Sequence, residues 1–308
     1  MKIVGLCQFS VFGPPGRGDP ADGRLEVASL EEALERLWHP VRMAQRFHLL
    51  EMLLLPSIRA QTGPWAEIVV ATSAAMPEVF QARLARVTAD IPGLRHIRMD
   101  GTEQDGALLS VMEAASSGFA EPVAYFQVGE DQALAMDFTA RLRDAVGRVD
   151  PGGMVSFPTG VFGFHDGMMV RHCIVHEELG PIGLAGVMPA GPPEVTCDRW
   201  LSRDIGRVPV FTDPTFAAYH RTLLAGPAVP DYRHLFPVSG VVRRLMVKTI
   251  EQNQELTDGK MITRRAEVAL AEGFAQTSAE ALREVLTAAL EPVALAEAMG
   301  FALEPQVG

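Results

Sequence analysis

Two adjacent carboxylates, Glu130 and Asp131, interrupt the stretch from Tyr125 to Phe138, YFQVGEDQALAMDF. Before them the chain is apolar and strand-like; after them it moves toward a helix start at Asp137. Carboxylates at the exit of a strand admit two readings. They can gather a hard cation and a phosphorylated ligand. They can equally be a charged turn beside a helix, where the dipole favours negative charge. The elements around them decide which chemistry is open to the chain.

Strands and helices alternate through the first 150 residues. Lys2 to Cys7 reads as a buried strand, and Ser29 with Glu32 forms a capping box that opens a helix. Pro40 ends that pattern, and a second helix runs from about Val41 to Leu55 with Met43, Phe47, Leu50 and Leu54 on one face. A strand from Glu67 to Ala71, a helix from Pro77 to Val87 and a short strand at 96–99 follow. Next come a helix ended by Gly118, a strand in PVAYFQV and an amphipathic helix with Asp137 in its first turn. This alternation predicts an α/β fold, a mostly parallel sheet flanked by helices. Ligands of such sheets sit outside the carboxyl ends of the strands. Ser10, the residues from Ala71 onward, and Glu130-Asp131 all follow such ends.

The second half changes character. GMVSFPTGVFGFHDGMMVRHCIVH is glycine-punctuated and β-rich, as in antiparallel hairpins, and the chain from Val238 onward reads as helical. The expected plan is an α/β half at 1–150, a mixed β region at 151–237 and C-terminal helices at 238–308.

Composition narrows the function classes. The net charge of −11, without a Lys/Arg-rich run, argues against nucleic acid as the main partner. Three scattered cysteines fit a reducing cytoplasm. The apolar run in MKIVGLCQFS is too short for a secretory signal. LLEMLLLPSI carries Glu51 and stops at a proline, so no integral membrane span is expected and any membrane contact is peripheral. GPPGRGDPADG lacks the Gly-Lys-Ser/Thr ending of a P-loop and reads as a loop, or a lid. His172, Cys173, His176 and Glu177 lie in an alternating segment that reads as an ordinary strand rather than a zinc site. No Ser-His-Asp elbow and no cysteine nucleophile context is present in the sequence.

Pro56, Ser57, Ile58, Gln61 and Thr62, followed by a turn and the strand Glu67-Ile68-Val69-Val70, resemble the first helix and second strand of family-2-like glycosyltransferases of the GT-A fold, a Rossmann-related architecture. GLCQFS, RFHLLEMLLLPSIRAQT, FQVGEDQALAMDFTARLRDA and VPVFTDPTFAAYH, in that order, are similar to the bacterial putative rhamnosyltransferase family over residues 1–225. The resemblance implies a nucleotide-sugar donor on the first sheet, a glycan or glycolipid acceptor, and Mg²⁺ or Mn²⁺ held by an acidic motif after the fourth strand, here Glu130 and Asp131. Family members typically carry a run of aspartates there, where this chain has Gly129-Glu130-Asp131-Gln132, and an Asp after the second strand, where it has Ala71-Thr72-Ser73. Gln8, Phe9 and Ser10 would lie under the nucleotide, with Thr72 and Ser73 beside the base or ribose and Glu130 beside the donor. Arg59 is a candidate for the diphosphate, whereas Arg46 needs no role beyond a surface arginine.

An inverting transfer needs a base, for which Asp198, Asp204, Asp213 and His220 are candidates, with Asp213 and His220 foremost. Asp213 also reads as a helix cap before Pro214. Two rivals stand beside this reading. The thinned acidic motif fits a degenerate enzyme that serves as a glycan-binding or scaffold module, and Arg17 in a glycine-rich loop fits a nucleotidyltransferase.

Overall fold

The first strand, β1 (Lys2–Gln8), is apolar on both faces because it is covered on both. Ile3, Cys7 and Phe9 point to one side of the sheet and Val4 and Leu6 to the other, each set inside its own apolar cluster. A computed structural model of the chain describes residues 1–11, 29–63, 66–99, 104–116, 118, 120–165, 170–180, 182–191, 206–224, 232, 235–236, 259–275 and 279–303. The loop from Phe12 to Gly23, with Arg17, and the candidates Asp198 and Asp204 lie outside the described residues.

Helix α1 (Leu30–Leu37) starts where the capping box predicts, with Ser29 Oγ accepting from the Glu32 amide at 3.1 Å. Helix α2 (Pro40–Leu49) continues through a π-helical turn at Leu50–Leu54 into α3 (Leu55–Arg59). Pro56 offers no N–H to the helical ladder, and the widened turn just before it accommodates that break. Strand β2 (Glu67–Ser73), α4 (Glu78–Thr88), β3 (Leu94–Met99), α5 (Gln104–Ser116), β4 (Val123–Gln127), β5 (Gln132–Leu134) and α6 (Phe138–Val146) follow. Strands β6 (Met154–Ser156), β7 (Thr159–His165), β8 (Val170–His176), β9 (Leu184–Met188), β10 (Val210–Thr212) and β11 (Tyr219–Leu224) make up the second half. Helices α7 (Gly259–Gly273), α8 (Ala279–Ala288) and α9 (Pro292–Ala298) close the chain.

Two sheets result. The larger has the order β10-β6-β9-β4-β1-β2-β3, and the smaller β5-β11-β7-β8. Strand β1 pairs in parallel with both β2 and β4, and β2 with β3, so their carboxyl ends share one rim. Strand β9 runs against β4 and β6, and β10 runs with β6, so β10 ends on that same rim. The mostly parallel sheet flanked by helices is therefore as the alternation predicts. The glycine-punctuated half does more than form hairpins: β6, β9 and β10 extend the first sheet, while β7, β8 and β11 build the second with β5. Among the described residues no helix is long and apolar enough to cross a membrane.

Candidate functional site

The rim formed by β1, β2 and β4 gathers most of the residues singled out from the sequence. The Val128 amide donates to Leu6 O at 3.1 Å, which carries the β4–β1 pairing one step past the strand and brings the elbow beside the end of β1. The Gln132 amide then returns to Gly129 O at 3.1 Å, closing a turn around Glu130 and Asp131. A side chain at 129 would sit 2.5 Å from Asp131 Oδ1, so glycine there lets the Asp131 carboxylate fold back over the backbone. The Thr222 amide donates to Asp131 O at 2.9 Å, tying the elbow to the second sheet.

Glu130 and Asp131 are partly buried, not splayed into open solvent. Their negative charge also reaches the buried Cys7 thiol, whose pKa is raised first by desolvation, then by Glu130 and to a lesser degree Asp131. The elbow and the end of the opening strand thus lie side by side on one rim. Arg46 completes it. Its Nη2 meets Glu130 Oε1 at 2.7 Å, with both side chains largely withdrawn from water, and its guanidinium lies 5.5 Å from the centre of the Phe9 ring.

At the exit of β1, Ser10 adopts φ 52°, a left-handed conformation that a non-glycine residue takes only at some energetic cost. Two contacts with the junction of α1 and α2 hold it: Trp38 Nε1 donates to Ser10 O at 3.3 Å, and Ser10 Oγ donates to Met43 Sδ at 3.2 Å. Gln8 is partly buried at the strand end, whereas Phe9 is fully buried and packs on Phe47 with ring centres 5.0 Å apart. Phe9 is therefore core and not a surface under the nucleotide, which corrects its expected place in the donor site. Ser73 sits on the rim, its Oγ accepting from the Ala75 amide at 3.3 Å. Thr72 is turned into the sheet, with Oγ1 2.8 Å from His96 Nε2.

Three expectations need correction. Arg59 does not reach this rim. Its guanidinium pairs with Asp90 at 2.9 Å, ahead of β3 and therefore at the amino-terminal edge of the sheet, and both groups are well exposed. The cause is the length of the α2–α3 unit, which runs from the rim at Pro40 to the opposite edge at Arg59. Arg46, two turns from the start of that unit, takes the position expected of Arg59. The only sequence signal for it was the spacing of Arg42 and Arg46, four apart on one helix face.

His220 is the second correction. It is 0% exposed within β11, and burial followed by the neighbouring His172 pushes its pKa down to about 3. A base with no path to solvent and so little basicity cannot take a proton from an acceptor. His172 and His220 instead face each other at 5.9 Å over Gly163, and His172 is lowered to about 4 by burial and then by the charge of Arg283. Thr72 is the third, and Ser10 falls with it: both hydroxyls are fully buried and already paired, with His96 and Met43, so neither is presented to a ligand.

Asp213 follows β10 on the same rim as the elbow, three strands along the sheet from β4, which places it on the order of 14 Å away. Its Oδ1 accepts from the Thr215 amide at 2.9 Å and from Thr215 Oγ1 at 2.5 Å, and Arg141 lies 3.6 Å from Oδ2. Burial alone would raise its pKa, but the bonds from Thr215 and the charges of Arg141 and Arg148 outweigh it and hold the carboxyl below its usual range. A depression of about 350 Å³ lined by Lys2, Glu67, Arg95 and Arg143 lies at the opposite edge and takes no part in this crevice. Among the described residues no three His, Cys, Asp or Glu side chains gather as a closed metal cage.

A family described as "Putative rhamnosyl transferase" matches residues 2–225. The chain belongs to this family. Membership makes it a glycosyltransferase, the class that the order of its motifs implies. No curated protein matches the sequence. Solved structures with partial likeness include TarS of S. aureus in complex with UDP, 10% identical, covering 97% of this chain and 90% of that one with a TM-score of 0.39. A second TarS structure aligns at 10% identity over 72% of this chain with a TM-score of 0.38, and there the chain spans only 60% of the TarS length. A "putative nucleotide-diphospho-sugar transferase" from Desulfovibrio desulfuricans G20 is 11% identical, with 97% and 99% coverage and a TM-score of 0.35. Likeness this loose leaves substrate and mechanism to the chain's own residues.

Proposed function

We propose that the protein transfers a sugar, rhamnose in the first instance, from a nucleoside diphosphate donor to a hydroxyl of a glycan or glycolipid. The observation that carries this reading is the Glu130-Asp131 elbow, partly buried beside the end of β1 and bridged to α2 by Arg46. Gln8 and Ser73 end β1 and β2 on the same rim, where they would face the nucleoside. Asp131 and Glu130, the latter shared with Arg46, are the residues that would hold a hard divalent ion, Mg²⁺ or Mn²⁺. When bound, that ion would offset the charge that develops on the departing diphosphate. Asp213, ionised at neutral pH, is the carboxylate of this rim best placed to accept the acceptor's proton.

One observation favours a second reading. Glu130 is already compensated by Arg46, as in a fold whose acidic motif has become structural, which suits a glycan-binding module. Thermal denaturation with UDP, GDP and dTDP, each with and without Mn²⁺, separates the two. A ligand at ~100 times its Kd adds about 2.7 kcal/mol to stability, a shift of several degrees. The transferase reading expects at least one nucleotide to raise Tm, more so with Mn²⁺, and Glu130→Ala with Asp131→Ala to abolish the Mn²⁺-dependent part. No shift with any nucleotide would leave the binding module as the better account.

A further inference from the structure

One face of the second sheet carries a buried polar row. Thr222 lies across from Gly163 and Gly163 across from His172, with His220 two residues before Thr222 on β11. All three polar side chains are buried. Thr222 Oγ1, both ring nitrogens of His220 and Nε2 of His172 find no hydrogen-bond partner among the described residues. The rings face each other at 5.9 Å and press on the glycine: a side chain there would come within 2.8 Å of His220 Nε2 and 3.2 Å of His172 Nε2. Packing alone does not explain the pair, since unpaired polar atoms in a core are costly where apolar ones are not.

Helices α7 and α8 both lie against β7 and β8. Arg283 of α8 is the charge that acts on His172, and His172 the charge that acts on His220. The other charged groups described on those helices, Arg265, Glu267 and Glu272 of α7 and Glu280 and Glu284 of α8, do not act on the pair. Strand β5 carries no charged residue, Arg221 alternates to the opposite face of β11, and His176 is exposed at the end of β8. No third His, Cys, Asp or Glu gathers with the two imidazoles among the described residues. A proton taken up here meets a positive charge and no carboxylate, so the contact holds both rings only while they are neutral.

We propose that this histidine pair is an acid-operated latch: in mildly acidic solution α7 and α8 lift from the second sheet while the first sheet stays folded, and at neutral pH they seat again. Lifting hydrates the two imidazoles, which then take up the protons that the closed form refuses. Hydrated imidazoles titrate near 6.5, whereas burial first, and then Arg283 and His172 in turn, lower the closed values to about 4 for His172 and about 3 for His220. The latch is therefore closed above pH 6.5 and weakens as pH falls below it. At pH 5 each ring favours the open form by about 30-fold more than at neutral pH, and the pair by about a thousandfold. The release also reaches the first sheet's helices. Gln45 Nε2 donates to Ala289 O just past α8, and His48 Nε2 lies 3.0 Å from Val285 O within it, so lifting α8 loosens the helix that brings Arg46 to the acidic elbow.

Hydrogen exchange of the full chain, read by mass spectrometry at pH 7.5 and 5.0 with labelling times scaled for intrinsic exchange, follows the opening segment by segment. Peptides from α7 and α8 are expected to lose about a hundredfold or more of their protection at pH 5.0, while those from β1, β2 and β4 keep theirs to within about threefold. His172→Gln removes one of the two protons and should cut the loss in α7 and α8 by about tenfold. Arg283→Gln, an exposed substitution that leaves the core intact, moves the onset of release to lower pH, because the closed form then opposes a proton on His172 less. A loss shared equally by α7, α8 and the first sheet would mean that acid lowers only global stability, and it overturns the latch. Unchanged protection of α7 and α8 at pH 5.0, or a loss that neither variant alters, overturns it as well.

Discussion

At the scale of single residues, side chains with similar sequence credentials meet opposite fates according to which end of an element they occupy. Arg46 and Arg59 both lie on the long helical unit after α1, yet one is near the rim and the other pairs with Asp90 at the far edge. Helical spacing reveals which residues share a face, but not where along the sheet a helix begins, because the loop from β1 sets that. His220 shows the same limit. Alternation in β11 predicts that one face is buried, but only the pairing of β11 with β5 and β7 shows that His220 is on it, opposite Val161 and near His172. The two imidazoles have a measurable consequence. Their pKa values in the folded chain, about 4 and about 3, lie below the ordinary 6.5. Between pH 6.5 and about 4 the unfolded chain binds protons that the folded one refuses, so their effect destabilises progressively as pH falls through that window and is absent above it. Carboxylates such as Asp213 and Glu67 add loss of the same sign at lower pH. Urea midpoints of the wild type and His220→Leu, measured from pH 7.5 to 4.5, isolate the histidine part. The variant should show the flatter profile, and parallel profiles would mean that the buried pair is not refusing protons.

At the scale of elements, the strand–helix alternation of the first half was legible because each element carries its own period and its own caps. Strand β5 and the antiparallel insertion of β9 were not, since both depend on partners far along the chain: β5 pairs with β11, and β9 enters between β4 and β6. The motif LPSIRAQT also has a meaning that sequence pattern left open. Gln61 joins three elements, its Nε2 donating to Ser57 O at 2.9 Å and Ala135 O at 2.8 Å, and its Oε1 accepting from the Thr139 amide at 3.0 Å. The last bond caps an orphan N–H in the first turn of α6, which Asp137 does not cap with its side chain. The Thr62 amide continues the seam to Met136 O at 2.8 Å. Gln61 therefore fixes the helix that follows the acidic elbow without touching the crevice. Gln61→Ala, which leaves buried amide partners unmet, should cost about 1–3 kcal/mol in denaturant titration. Nucleotide affinity measured well below the midpoint should change little. A large loss of affinity with unchanged stability would instead place Gln61 in the binding machinery.

At the scale of the whole molecule, the C-terminal helices belong to the same core as the crevice helix. Helix α9 lies against α2, and Phe301 just beyond it wedges between Phe47 and Phe80, with ring centres 6.0 and 5.0 Å away. Polar contacts reinforce the join: Gln45 Nε2 donates to Ala289 O at 2.6 Å, and His48 Nε2 lies 3.0 Å from Val285 O. Helix α2 is thus clamped on one side by β1, through Phe47 and Phe9, and on the other by α8, α9 and Phe301, about five turns of helix in all. Because Arg42, Gln45, Arg46 and His48 all ride on this one helix, its seating fixes the distance from Arg46 to Glu130. Removing the wedge should therefore act twice. Phe301→Ala is expected to lower stability by about 3–5 kcal/mol, the usual effect of deleting a buried phenyl ring. It should also weaken diphosphate binding at temperatures where the variant is still folded, because α2 then keeps only the polar contacts of Gln45 and His48 and the packing of α9 on that side. Calorimetric unfolding gives the sharper test. A chain in which the terminal helices share the core of the first sheet melts in one transition, and the variant melts in one transition at lower temperature. Two separate transitions in the wild type, with only the weaker one moved by Phe301→Ala, would show that the terminal helices fold as a unit of their own and that the crevice does not depend on them.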